Sequence, residues 1–163
     1  MAAVDLFLKI NGIQGESKDA KHANEIDVDA FSWGETNVVS HAGGGGGAGK
    51  VAMQDFHVTK RLDRASPALF LACASGKHYA KAVLTARKAG QGQQEYLVIT
   101  LSEVVVSAYQ VGGAEAGDAG VDHLSLTFSR IVFEYRPQKP DGSLAPPVKA
   151  GWDVTANKAI LGV

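Results

Sequence analysis

With a single cysteine, Cys73, the 163-residue chain cannot carry an internal disulfide framework, and it fits a protein folded in a reducing compartment. Charge of one sign is also missing. Sixteen basic residues balance seventeen acidic ones, and the nearest thing to a basic patch is Lys60, Arg61 and Arg64, so the electrostatic footprint of a nucleic-acid binder is absent. No apolar run approaches membrane-spanning length. The opening MAAVDLFLKINGIQGES has no basic leader region and places Asp5 and Lys9 in its apolar stretch, so neither an ordinary cleaved signal peptide nor direct membrane insertion is expected. Internal repeats and a clear domain linker are lacking too, so residues 1–163 are expected to form one domain.

Glycine is plentiful: nineteen residues, five of them consecutive from Gly43 to Gly47. Around them, Val4, Leu6, Leu8 and Ile10 alternate with Asp5, Phe7 and Lys9, the period-two pattern of a strand. Similar stretches run over 25–33, 51–60, 81–87, 95–110, 123–135 and, more weakly, 151–157. One helix interrupts them at about 67–75, opened by Ser66 and Pro67 and closed by Gly76, with Leu69, Phe70 and Cys73 expected against the strands. Seven or so short strands with one helix laid on the side predict an all-β barrel or sandwich.

Two features suggest a second surface. The apolar phase in the last long strand changes from Leu124, Leu126 and Phe128 to Ile131, Phe133 and Tyr135, as a bulge or a strand buried on both faces would produce. Phe7, Phe31 and Trp33 fall on the nominally polar side of their strands. They are either isolated exposed aromatics or part of a subunit interface.

The stretch HAGGGGGAGK, His41 to Lys50, imitates the phosphate-binding pattern GxxxxGK[ST]. Its surroundings defeat that reading. Val51 stands where the magnesium-binding hydroxyl belongs, VAMQDFHVTK reads as a strand rather than a helix, and no later apolar strand ends in the required aspartate. The five histidines show neither HxxxH nor HxH spacing, and Cys73 has no CxxC partner, so no metal is predicted. His22 with Glu25, and Asp55 with His57, read as hydrogen-bonded or solvated polar groups. The acidic residues Glu16, Glu25, Asp27, Asp29 and Glu35 read as a solvated strand face with its turns. No GxSxG elbow is present and Cys73 lies in an apolar helix, so neither catalysis nor a cofactor is indicated. What remains is a binding or structural β-module.

The segments FLKINGIQGES (7–17), HANEIDV (22–28), SWGE (32–35), GGGGGAGK (43–50), DFHVTK (55–60), DRASPALFLACASGKH (63–78), LTARKAG (84–90), QEYLVITLSEVVVS (94–107) and FEYRPQ (133–138) agree in order and spacing with one family. Together they resemble the hemolysin-coregulated protein (Hcp) family, the tube proteins of the bacterial type VI secretion system. The resemblance implies a barrel of two sheets with one lateral helix, like the tail tube of contractile phages, six copies closing into a ring, and rings stacking into a hollow tube. It also implies sheath and spike proteins as partners, small effector proteins in the lumen, synthesis in the bacterial cytoplasm, and export by the contractile machine. A fused toxin domain, the family's route to catalysis, is not expected before Val163.

Carried over residue by residue, the loop Gly43, Gly44, Gly45, Gly46, Gly47, Ala48, Gly49 and Lys50 is expected to touch neighbouring subunits or the next ring. Alternation on EIDVDAFSWG puts Ile26, Val28, Ala30 and Ser32 on one side, and Ser32 is the candidate lumen and effector contact. Phe7, Trp33 and Phe133 are the candidate subunit interface, since a closed ring needs two different patches per copy. The rival reading is a monomeric β-barrel that binds a ligand in its own interior.

Overall fold

The computed structural model describes residues 4–38, 49–89, 92–115 and 120–163. Among these residues, twelve strands and one helix follow in order: β1 (Val4–Ile10), β2 (Ile26–Val28), β3 (Ala30–Ser32), β4 (Glu35–Asn37), β5 (Val51–Met53), β6 (Phe56–Arg61), α1 (Ser66–Ser75), β7 (His78–Lys88), β8 (Glu95–Gly112), β9 (Val121–Thr127), β10 (Arg130–Tyr135), β11 (Val148–Asp153) and β12 (Lys158–Ala159). The chain is thus mostly β with one short helix, as expected, and its strands form two unequal sheets. One has ten strands; the other is the β4–β5 hairpin.

The 18-residue β8 organises the large sheet. Along one edge it pairs with β7, which leads to β1 and β2; along the other it pairs first with β10 and then with β9, which leads to β6 and β3. The two arms meet at Asp29, between β2 and β3, whose N–H donates to the Thr59 carbonyl at 2.9 Å. That crossing corrects the expected alternation. Ile26 and Val28 are buried, whereas Ala30 and Ser32 are exposed, because the chain leaves β1 for β6 at Asp29 and the side that faces the core changes with it.

The phase change after Phe128 is also present, and it has a partner. Ile99 and Leu101 are buried at odd positions of β8, Val104 and Val106 at even ones. Glu103 between them adopts a left-handed backbone (φ 54°), which turns the following side chain to the other face. Opposite it, β9 gives way to β10 at Phe128–Ser129, so both strands change phase at the same level. Cross-strand register is kept: Val105 still faces Thr127 and Ser102 still faces Arg130.

Helix α1 ends as predicted, with Gly76 left-handed (φ 64°) and the Lys77 N–H reaching the Ala72 carbonyl at 3.2 Å. Its start differs. Ala65 occupies the cap position, and the Ser66 hydroxyl serves a buried ion network instead of capping the helix. Leu69 is buried and Cys73 half-buried, but Phe70, expected inside, is 61% exposed. The core includes Leu8, Ile10, Ile26, Phe56, Val58, Leu69, Leu84, Ile99, Leu101, Leu124 and Leu126.

Candidate functional site

Two surfaces draw the chemistry-bearing residues together. The first is the outer face of the four-strand patch β3–β6–β9–β8. Register places Ser32, His57, Ser125 and Ala108 in one row, and Ala30, Thr59, His123 and Gln110 in the next. Every residue in these rows is small or polar, and each imidazole is tied down: His57 Nδ1 lies 2.8 Å from Ser125 Oγ, and His123 Nδ1 lies 3.0 Å from Thr59 Oγ1. Asp55, read with His57 as a hydrogen-bonded or solvated polar group, accepts from Ser107 Oγ at 2.7 Å. The result is a hydrophilic wall with Ser32 exposed in it, unlike the other side of the same strands, where Phe31, Val58, Leu124 and Tyr109 line up toward the core.

The second surface is a cleft of about 350 Å³ lined by Trp33, Glu35, Val51, Ile131, Phe133, Ala150, Gly151 and Trp152. It arises where the core face of β10–β11 runs past what the chain itself covers. Ile131 and Trp152 sit opposite each other at the buried end, followed by Phe133 opposite Ala150 and Tyr135 opposite Val148, which are exposed. The β4–β5 hairpin forms one wall. Trp33 and Phe133, two of the predicted interface residues, therefore share one apolar cleft.

Phe7, the third, does not join them. It does lie off the core face of β1, as alternation indicated, but it is buried by its own chain: the His22 ring stacks on it at 4.4 Å and the Arg87 guanidinium lies over it at 4.9 Å. Arg87 in turn donates to Asp19 at 2.7 and 3.0 Å and to Asp5 at 3.1 Å, and holds the Asp19 carboxyl well below its usual range. His22 bridges Glu25 (2.9 Å) and Glu95 (2.7 Å), so the His22–Glu25 reading as a bonded polar pair holds. No sequence period links Phe7 to His22, Arg87 and Asp19; the meander between β1 and β2 brings them together.

The basic trio Lys60, Arg61 and Arg64 is not a patch either. Lys60 is wholly buried, with Nζ 2.7 Å from Asp63, 3.0 Å from Ser66 and 3.1 Å from Asp122. Ser66 and Tyr109 both donate to Asp122 Oδ2 at 2.7 Å, and burial, then this bond to the carboxylate, pushes the Tyr109 hydroxyl up to about 12. A hollow beside Asp63 collects Glu16, Asp27 and Asp29, and there burial and the neighbouring carboxylates raise the Asp27 carboxyl. Among the described residues, no three His, Cys, Asp or Glu side chains converge as a metal site would require.

Of the predicted assembly loop, Gly43 to Gly47 and Ala48 lie outside the described residues. Gly49 and Lys50 lie within them. Asn37 Nδ2 donates to the Gly49 carbonyl at 3.0 Å, and a Cβ on Gly49 would run into the Val38 carbonyl, so this glycine permits the close approach of the two chain segments just beyond the β4–β5 hairpin.

The described residues thus form a β-rich fold with one lateral helix, a hydrophilic sheet face and an uncovered apolar cleft. Residues 7–135 match the family model described as "Type VI secretion system effector, Hcp". Protein hcp1 of Pseudomonas aeruginosa is 51% identical over 158 residues, covering 95% of this chain and 98% of that protein. Among solved structures, Hcp1 from Salmonella typhimurium superposes with a TM-score of 0.79 at 37% identity, covering 97% of this chain and 99% of that one. A structure described as a type six secretion system protein gives 0.91 at 30% identity, covering 97% and 100%. The chain belongs to the Hcp family of the type VI secretion system.

Proposed function

We propose that this protein is the subunit of the type VI inner tube. Six copies close into a ring, rings stack into a hollow tube, sheath contraction drives the tube and its spike out of the cell, and small effector proteins travel in the lumen. The role is structural, with no reaction step. One observation carries this reading: a single chain presents a hydrophilic sheet face and, apart from it, an apolar cleft that it does not fill. The first suits the wall of a water-filled channel and the second suits a joint between copies.

In this reading the Ser32–His57–Ser125–Ala108 row faces the lumen. Its mostly short side chains leave the bore open, and its hydroxyls and the His57 imidazole offer exchangeable hydrogen bonds to a folded cargo without gripping it. Trp33 and Phe133 belong to the joint, and the segment Gly43–Lys50 reaches a neighbouring subunit or the next ring. The test is secretion. The protein should reach the medium from cells with an intact type VI apparatus and be retained when the sheath gene is deleted; equal release from both strains would overturn the proposal. Replacing Ser32 with a bulky residue, as in Ser32→Trp, should reduce the effectors exported while rings persist.

A further inference from the structure

Helix α1 is apolar on two sides. Its sequence, SPALFLACAS, has no charged residue. The inner side is Ser66, Leu69 and Ala72, buried against the sheet. The outer side is Pro67, Phe70, Leu71 and Ala74, at the i, i+3, i+4, i+7 spacing of a helix face, and all four are exposed. Phe70 is 61% and Leu71 63% exposed. A surface helix ordinarily turns charge outward, whereas one that is apolar all round is buried on both sides in its working state. The chain also has an apolar hollow with nothing in it, the Trp33–Phe133–Trp152 cleft. The helix rests on β8, while the cleft lies among β4, β5, β10 and β11, so a chain's stripe does not fill its own cleft.

We infer that the outer stripe of α1 docks in the Trp33–Phe133–Trp152 cleft of a second copy of this chain. The inference rests on the ring reading and supplies its joint. A closed ring of identical copies uses a heterologous contact, in which a projection on one copy meets a different, complementary patch on the next. The stripe is such a projection and the cleft such a patch. Phe70 and Leu71 are the anchoring side chains, Phe133 and Trp152 the aromatic walls that receive them, and Ala150 with Gly151 the floor that leaves room for a helix to approach.

The contact can be tested by mixing two variants. Leu71→Glu spoils the stripe and keeps the cleft; Phe133→Glu spoils the cleft and keeps the stripe. By light scattering after size exclusion, each is expected to be monomeric alone and their mixture a one-to-one dimer, because one sound joint remains between unlike chains. A further variant, Leu71→Cys with Ala150→Cys in a Cys73→Ser background, is expected to give a ladder of covalent multimers on mild oxidation, with the single-cysteine controls giving none. If wild-type rings form but the mixture stays monomeric and the double-cysteine chain gives no ladder, this joint is wrong and the ring stands. If the wild-type chain is itself monomeric, the ring reading falls and the joint with it.

Discussion

Lys60 and Asp122 face each other across β6 and β9, both wholly buried, with Nζ 3.1 Å from Oδ2. Asp63, Ser66 and Tyr109 complete the surroundings, so this cluster ties the start of α1 to three strands. Removing one charge strands the other in a low-dielectric interior. Asp122→Ala is therefore expected to destabilise the fold by about 3–5 kcal/mol, measured by denaturant unfolding, while Lys60→Met combined with Asp122→Leu should cost less than the sum of the two single changes. Additive losses would show that the two side chains do not act as a pair.

The pH range of stability has two arms with different owners. Asp19, held low chiefly by the hydrogen bond from Arg87, has a folded pKa below its unfolded value of about 3.9. Its stabilising contribution is complete above that value and is lost as the pH falls below it. Tyr109 is shifted the other way, from about 10 in the unfolded chain to about 12, so its contribution is complete below pH 10 and is lost as the pH rises toward 12. Unfolding titrations should show a weaker acid arm in Asp19→Asn and a weaker alkaline arm in Tyr109→Phe. An unchanged acid arm in Asp19→Asn would show that the Arg87–Asp19 pair does not set stability in acid.

Gly15 is fixed by backbone contact. A Cβ there would meet the carbonyl of Glu25 and the Cα of Ile26, and the Gly15 N–H donates to the Asn24 carbonyl at 2.8 Å. Gly15→Ala should lower stability by about 1–3 kcal/mol, since neither neighbour is the movable end of a side chain. The meander carrying His22 and Asp19 should loosen with it, readable as faster amide exchange over 14–25.

At the foot of the glycine-rich segment, Gly49→Val is expected to leave the fold and its unfolding midpoint nearly intact while weakening ring stacking, seen as shorter tubes in electron micrographs. The Cβ would push against the Val38 carbonyl, well outside the core. Tubes of unchanged length would detach this segment from assembly.

The parts of this molecule that repeat with a period were legible in the sequence. The strand at Val4–Ile10 has those bounds, Gly76 ends α1, and the phase change after Phe128 is real. What the pattern conceals depends on residues far apart along the chain. Lys60 looks like part of a basic surface until Asp122 is placed opposite it. Phe7 looks like an exposed aromatic until the 14–25 meander folds His22 over its ring. Alternation through Ser32 misleads because Asp29 hands the chain from one partner strand to another, which no local spacing announces. Hydrophobicity alone assigns Phe70 to the core, and only three-dimensional placement shows that the apolar content of α1 exceeds what its own subunit buries.

Whether this chain closes on copies of itself around a hydrophilic bore is settled by two-dimensional class averages of the purified protein in negative-stain electron microscopy. Six-fold rings with a central hole are expected; particles the size of one subunit, with no ring at high micromolar concentration, would contradict the tube-subunit reading.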